Sequence, residues 1–144
     1  MNRFDVSRAR GCMIGGAFGD SLGAAVEFGS LSGIRTRYGI KGIQECHSAY
    51  GFGPGVITDD TQMAVATANG LVNSGYSGKD PTTEIWYAYL DWLKSQSFQG
   101  QSRAPGSTCL SALRSGKMGT IEKPLNNSAG CGAVMRAHPV GIAF

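Results

Sequence analysis

Two adjacent aspartates flanked by threonines are the residues of this chain best suited to chemistry. Asp59 and Asp60 stand between Thr58 and Thr61, after a glycine-rich stretch and before a run with helical spacing. Adjacent carboxylates repel each other, and a divalent cation that prefers several oxygen ligands removes that repulsion. The stretch therefore fits a site for a hard divalent cation. It also fits a plain helix start, in which Asp59 or Thr58 caps the helix and Asp60 favours its dipole.

A second pair of acids lies earlier in the chain. A helix is predicted over residues 7–26, and Asp20 and Glu27 are seven residues apart, so two helical turns place them on one face near its end. A charged pair beside an apolar stripe fits the wall of a site. Two solvated surface acids explain the same spacing.

The same predicted helix carries glycines at every fourth position, which places them along one stripe. They are Gly11, Gly15, Gly19 and Gly23. Each glycine costs a helix roughly 1 kcal/mol relative to alanine, so the stripe calls for a compensating contact. It predicts a second helix packed very close, in the core of an all-α protein. The acids nearby argue against a membrane helix pair.

The segments that position these residues are predicted to be mostly helical. Residues 29–57 are predicted to be loop and turn, because serine and glycine recur through them. Asp59 and Gln62 have the spacing of a capping box, and the helix that they open is predicted to end near Gly75. Asp80, followed by proline, starts the next helix, whose aromatic stripe is predicted to lie in the core.

Two polar loops follow. The first, residues 96–106, contains Arg103 and precedes a short helix through Leu113 that Ser107 or Thr108 is predicted to cap. Free amides and a nearby guanidinium suit a phosphate group. The second loop, residues 126–132, is rich in small residues that let backbone amides approach a ligand, and it leads into a predicted helix over 133–144. Pro139 is expected to kink or split that helix.

Composition narrows the possible partners. The chain has 144 residues, enough for one domain, and a net charge of +3 with no basic run, so nothing indicates sequence-specific nucleic-acid or membrane binding. Its four cysteines form no C-x-x-C pair and are predicted to be reduced thiols of a cytosolic protein. No signal peptide is expected, because charged residues interrupt the first ten positions, and the uncharged residues 11–19 are too few to span a bilayer. A cytoplasmic location is expected.

The order of four motifs resembles the ADP-ribosylglycohydrolase family, which is related to the dinitrogenase reductase-activating glycohydrolase. The motifs are GCMIGGAFGDSLGAAVEF at 11–28, ITDDTQM at 57–63, RAPGSTC at 103–109 and NSAGCGAVMR at 127–136. The resemblance runs along nearly the whole chain. It implies a compact, all-α orthogonal helical bundle that uses two magnesium ions, or manganese in some members. The implied reaction is hydrolysis of the bond between ADP-ribose and an acceptor.

The resemblance also implies roles for individual residues. Thr58, Asp59 and Asp60 would be metal ligands, and Glu27 would activate water or position the substrate, so that Glu27, Asp59 and Asp60 carry catalysis. Asp20 would support the first helix and the substrate site. The remaining implied residues of the ADP-ribose pocket are Arg103, Gly106, Thr108, Ser128, Gly130, Cys131 and Gly132.

One family motif, Asp-x-Asp followed by threonine, does not occur in this sequence. Residues 1–144 are therefore predicted to be the N-terminal part of a single domain of this type, a truncated form that works with a complementing C-terminal fragment or as an oligomer. A non-catalytic relative that binds ADP-ribose or is structural, as crystallins of this family are, is the alternative. An unrelated cytosolic all-α module with helix-capping acids is a third interpretation.

Overall fold

The computed structural model describes residues 5–144, which divide along the chain into two compact units, the first ending at Thr58 and the second beginning at Asp59. Throughout this described range the regular elements are helices, and the only pairing of extended residues is an isolated bridge between Ala49 and Phe52. The all-α prediction is confirmed. None of the helices between residues 5 and 144 is long and apolar enough to cross a membrane. A single domain over 1–144 stays a prediction.

The first unit contains α1 (Val6–Gly23), which ends earlier than predicted. Asp5 caps its start by accepting from the Ser7 amide at 3.0 Å. After Gly23 the backbone follows tighter turns with hydrogen bonds between residues three apart. The Val26 amide, for example, donates to the Gly23 carbonyl at 2.9 Å. Glu27 therefore lies outside the helix that carries Asp20, and the prediction that these acids share a helical face is wrong.

The second helix of this unit, α2 (Leu31–Tyr38), lies where loop was predicted. Ser30 caps it by accepting from the Gly33 amide at 3.1 Å, and Gly39, at a φ of +83°, follows its last residue. The residue types that suggested turns here are the cap residues of an eight-residue helix. The loop prediction for this segment is therefore wrong.

The glycine stripe of α1 does not pack against another helix in the part of the chain that the structure describes. A Cβ atom built on any of its four glycines would meet nothing within 4 Å. Large apolar residues of α1 are also exposed, among them Ile14 and Phe18. The prediction of a closely packed partner along this stripe is therefore wrong for residues 5–144.

The second unit is built on two long helices, α3 (Asp59–Ser77) and α4 (Pro81–Ser95). As predicted, Asp80 caps α4 by accepting from the Thr83 amide at 2.8 Å, with Pro81 in the first turn. The buried core contains Met63 and Ala66 of α3 and Trp92 of α4, together with Leu113. This core supports the start of α3, where the two aspartates lie.

The two long helices approach most closely at Gly70 of α3. A Cβ atom there would lie 2.4 Å from the Cα and 2.6 Å from the backbone nitrogen of Ile85 in α4. About one helical turn away, the Thr67 hydroxyl meets the Tyr89 hydroxyl at 2.7 Å and donates to the Met63 carbonyl at 3.0 Å. We call this contact zone, formed by Gly70, Ile85, Thr67 and Tyr89, the α3–α4 seam.

The shorter elements complete the second unit. The helix α5 (Ser107–Arg114) begins after Gly106, which makes no side-chain cap, so the prediction that Ser107 or Thr108 caps it is wrong. Both are helical residues. The helix predicted over 133–144 is shorter, because a 3₁₀ turn (Cys131–Ala133) precedes α6 (His138–Ala143). Pro139 sits in the first turn of α6, where its missing N–H disrupts no helical bond.

Candidate functional site

In the first unit, Asp20 of α1 fixes Thr58 through two hydrogen bonds. The Thr58 amide donates to Asp20 Oδ2 at 2.8 Å, and the Thr58 hydroxyl donates to Asp20 Oδ1 at 2.7 Å. Thr58 is 4% exposed, so both bonds are sheltered from water. Because the hydroxyl gives its proton to Asp20, its oxygen can act only as an acceptor toward any other group. A threonine that ligates a cation must act in this way.

In the second unit, Asp59 is the first residue of α3 and is 6% exposed. Its amide donates to the Arg103 carbonyl at 3.0 Å, and its Oδ2 accepts from the Gly106 amide at 3.2 Å. A carboxylate this buried is costly without such polar partners. The loop that precedes α5 supplies them, so the structure brings Arg103 and Gly106 of the predicted pocket to Asp59.

The Arg103 loop is held in place by its own backbone and by Gln62. Ala104 adopts a φ of +56°, and the Arg103 Nε donates to the Gly100 carbonyl at 3.1 Å. Gln62, instead of turning back to the helix start as in a capping box, donates to the Gln101 carbonyl at 2.9 Å. Its oxygen also accepts from the indole of Trp92 at 3.0 Å. Sequence analysis missed this supporting role, which no local spacing signals.

Asp60 lies beside Asp59 in the first turn of α3 and is half-buried. Two carboxylates at this position are favoured by the helix dipole, as the helix-start interpretation requires. Between residues 5 and 144, no group of three or more His, Cys, Asp and Glu side chains converges to hold a metal ion. Thr58, Asp59 and Asp60 offer a hydroxyl and two carboxylates, which are the hard oxygen donors that Mg²⁺ accepts. The donor chemistry thus fits the ion.

Glu27 follows α1 in the first unit and accepts a hydrogen bond from the Tyr50 hydroxyl. The two residues are 23 positions apart, and Tyr50 was not among the predicted site residues. Its position in a turn gave no signal that its hydroxyl reaches an acid. Asp20 and Glu27 therefore contact different segments of this unit, Thr58 and Tyr50 respectively.

The second predicted loop lies beside α5. Ser128 Oγ accepts from the Gly130 amide at 3.2 Å, and a Cβ atom on Gly132 would lie 2.9 Å from the Cys109 sulfur. A side chain at position 132 would therefore press on the Cys109 side chain, while Cys131 is exposed. Thr108 lines a groove of about 540 Å³ along α5 that Ser111 and Lys117 also border, among other residues.

The last residue of the fourth motif, Arg136, reaches the α3–α4 seam. Its guanidinium carbon lies 4.6 Å from the centroid of the Tyr89 ring, and its Nη1 is 3.3 Å from the Met63 sulfur. Burial raises the pKa of Tyr89 above its ordinary value, against the opposing influence of the Thr67 hydrogen bond and the Arg136 charge. Arg136 therefore packs on the core of the second unit.

The helices define an all-α protein, and in its second unit a buried carboxylate with polar partners, Asp59, lies at the start of α3. The chain belongs to the ADP-ribosylglycohydrolase family, whose model matches residues 1–144. The resemblance seen in the four motifs is confirmed.

Three relatives show how the chain relates to longer proteins. It is 35% identical over 138 residues to the ADP-ribosyl-[dinitrogen reductase] glycohydrolase of Rhodospirillum rubrum, with 94% of this chain and 44% of the relative covered. An uncharacterized protein of Escherichia coli (strain K12) is 32% identical, with 93% of this chain and 41% of the relative covered. An uncharacterized protein of Archaeoglobus fulgidus is 33% identical, with coverages of 94% and 42%. The chain thus spans less than half the length of the curated relatives it matches.

Proposed function

We propose that this chain takes part in hydrolysing the glycosidic bond between ADP-ribose and an acceptor. The observation that carries the proposal is the double hydrogen bond from Thr58 to Asp20, in which a buried hydroxyl gives its proton to a carboxylate. A helix cap alone does not require Asp20 to hold that hydroxyl. Family membership and the glycohydrolase from Rhodospirillum rubrum support the same reaction class.

Thr58, Asp59 and Asp60 are the residues that would hold magnesium in this proposal. When bound, the ion polarises oxygen atoms of substrate and water. The Arg103 loop keeps Asp59 in place through the Gly106 amide and the Arg103 carbonyl, so the carboxylate does not have to reorganise when a ligand arrives. Two ions, with manganese as a substitute, are part of the same proposal.

The remaining roles follow the family resemblance. Glu27 takes the proton of the attacking water, and the water oxygen bonds to the anomeric carbon while the bond to the acceptor breaks. The leaving acceptor carries away the electron pair and is then protonated. Arg103, Gly106 and Thr108, with the 128–132 loop, contribute to binding ADP-ribose. A cytoplasmic location and a complementing C-terminal segment or oligomer belong to this proposal as well.

The test compares Asp59→Asn and Asp60→Asn with the unchanged chain. Asparagine keeps an oxygen that can accept from the Gly106 amide, so the loop stays attached while the negative charge is lost. We expect both variants to lose the calorimetric heat of Mg²⁺ binding and the metal-dependent hydrolysis of ADP-ribosyl-arginine. Circular dichroism checks that the helices persist.

The matched control is Asp91→Asn, which removes an exposed aspartate that pairs with Lys94 at 2.7 Å in the same unit. It is expected to bind Mg²⁺ and ADP-ribose as the unchanged chain does. Retained Mg²⁺ binding in both site variants would contradict the metal assignment. Binding of ADP-ribose without turnover by the folded, unchanged chain would instead favour the non-catalytic alternative.

A further inference from the structure

Residues 49–52 form a tight reversal of the chain in the first unit. The Phe52 amide donates to the Ala49 carbonyl at 2.9 Å, and the Ala49 amide donates to the Phe52 carbonyl at 3.2 Å. Between them, Tyr50 has a φ of +51° and Gly51 a φ of +81°. Two successive positive φ values are typical of a type I′ turn, whose central positions favour glycine and asparagine.

Tyr50 is an unfavourable residue for this backbone conformation. Glycine adopts a positive φ without steric cost, as Gly51 does, but the Cβ atom of a bulky residue approaches the neighbouring backbone. Glycine or asparagine at position 50 would form the same turn with less strain. Bulky residues are kept at a positive φ mainly where the side chain has a function. The Tyr50 side chain therefore needs its own explanation.

The Tyr50 side chain meets Glu27. Its hydroxyl donates to Glu27 Oε2, and Tyr50 is 38% exposed, so the contact forms at the surface rather than in the core. Glu27 lies beyond the end of α1, where only short turns order the backbone. An exposed glutamate in such a segment has several rotamers within reach. A hydrogen bond to a carboxylate is among the stronger ones and favours one of them.

We propose that Tyr50 is a positioning residue that holds the Glu27 carboxylate in one orientation for proton transfer. This inference rests on the proposed function, in which Glu27 accepts the proton of the attacking water. The tyrosine engages Oε2, so Oε1 is the oxygen that forms the new O–H bond. The strained turn keeps the hydroxyl at the required place, and the reaction itself neither consumes nor alters Tyr50.

A direct test measures the orientation of Glu27 by NMR in the purified chain. Three-bond couplings about the Glu27 χ1 bond are expected to show one dominant rotamer in the unchanged protein and averaged values in Tyr50→Phe. Phenylalanine keeps the ring and removes the donor. Tyr76→Phe, at an exposed tyrosine of the second unit, is the matched control and should leave the Glu27 couplings unchanged. Equal couplings in the unchanged chain and Tyr50→Phe would overturn the proposal.

Kinetics test the consequence for the reaction. Tyr50→Phe is expected to lower kcat for ADP-ribosyl-arginine about 10-fold with KM unchanged, because only the orientation of the base is lost. In a Glu27→Gln background the same change should cause no further loss, since the two residues act as a unit. Losses that multiply across the two substitutions would overturn the proposal.

A second variant separates positioning from a structural role in the turn. Tyr50→Gly relieves the strain of the positive φ. If Tyr50 were needed only for the turn, this variant would have an unchanged or higher Tm and a normal kcat. The proposal predicts a folded protein with kcat lowered as in Tyr50→Phe, and a normal kcat would overturn it. An unchanged chain without any hydrolysis would contradict the proposed function, and the NMR couplings would still decide whether Tyr50 orients Glu27.

Discussion

Glycine has opposite consequences in the two long helices that begin the two units. In α1, four glycines share a stripe, and a Cβ atom on any of them would meet nothing within 4 Å. In α3, Gly70 lies so close to Ile85 that a Cβ atom would overlap its backbone. A regular pattern therefore gave a weaker indication of packing than one unpatterned residue. Helical spacing shows which glycines share a face. Whether a larger residue could replace a glycine depends on how closely a second backbone approaches it.

The comparison also separates what stabilises each helix. Only Ser21 is buried in α1, whereas α3 buries seven residues, including Met63 and Thr67, which are almost fully enclosed. The hydrophobic and dispersion contributions thus concentrate in the second unit. Substitutions at the two kinds of glycine should differ in sign as well as size.

The largest effect is expected for Gly70→Ala. The added methyl group would meet the Cα and backbone nitrogen of Ile85, which cannot move as a flexible side chain could, so α3 and α4 must separate. Overpacking of this kind costs up to about 3 kcal/mol, and the higher helix propensity of alanine offsets about 1 kcal/mol. We expect the free energy of unfolding, measured in urea, to fall by about 2 kcal/mol.

Gly75→Ala is the control within the same helix, because a Cβ atom there would meet nothing within 4 Å. It should leave the protein as stable as before or slightly more so. Equal stability of Gly70→Ala and the unchanged chain would show that the seam is looser than the structure indicates.

An intermediate effect is expected at Tyr89, on the other part of the seam. Tyr89→Phe removes its hydrogen bond with Thr67, which still bonds to the Met63 carbonyl, so the loss should be about 1 kcal/mol near neutral pH. Burial raises the pKa of Tyr89, so its contribution is complete below the unfolded pKa of about 10 and is lost as pH rises through the higher folded pKa.

Urea unfolding from pH 7 to pH 11 checks this pH dependence. The stability of the unchanged chain should fall more steeply above pH 10 than that of Tyr89→Phe, because only the former contains the buried phenol. Groups that titrate in both proteins cancel in the difference. Parallel curves would contradict the assignment of the slope to Tyr89.

The smallest effect, with the opposite sign, is expected for Gly15→Ala in α1. The position is helical and open, so alanine reduces the entropy of the unfolded chain without a clash. We expect a gain of about 0.4–1 kcal/mol, measured as a higher urea midpoint with an unchanged slope. Destabilisation would indicate that something packs on this stripe in solution, for example a second copy of the chain.

Local signals in the sequence predicted the elements whose causes are local. Asp80 with Pro81 marked the start of α4, and the apolar spacing after Asp59 marked α3, because capping and amphipathic faces depend on neighbouring residues. The short helix α2 was missed for the converse reason. Ser30 and Gly39 are residue types that serve turns and helix caps alike.

In the candidate site, too, features with local causes were predicted and contacts between distant residues were not. The motifs identified Asp59 and the Arg103 loop, and the structure joins them through the Gly106 amide. The supports were not predictable, because Gln62 and Tyr50 act on partners 39 and 23 residues away. Such contacts depend on how the chain folds back, and a single sequence contains no spacing that reports them.

The hydrogen bonds of Gln62 connect an intrinsic fluorophore, Trp92, to the Arg103 loop. One side-chain amide accepts from the Trp92 indole and donates to the Gln101 carbonyl, so the fluorophore shares a hydrogen-bonding partner with the loop that holds Asp59. Indole emission responds to the hydrogen bonding of its N–H. We therefore expect a displacement of the loop to shift the emission wavelength of Trp92, without any label attached to the chain.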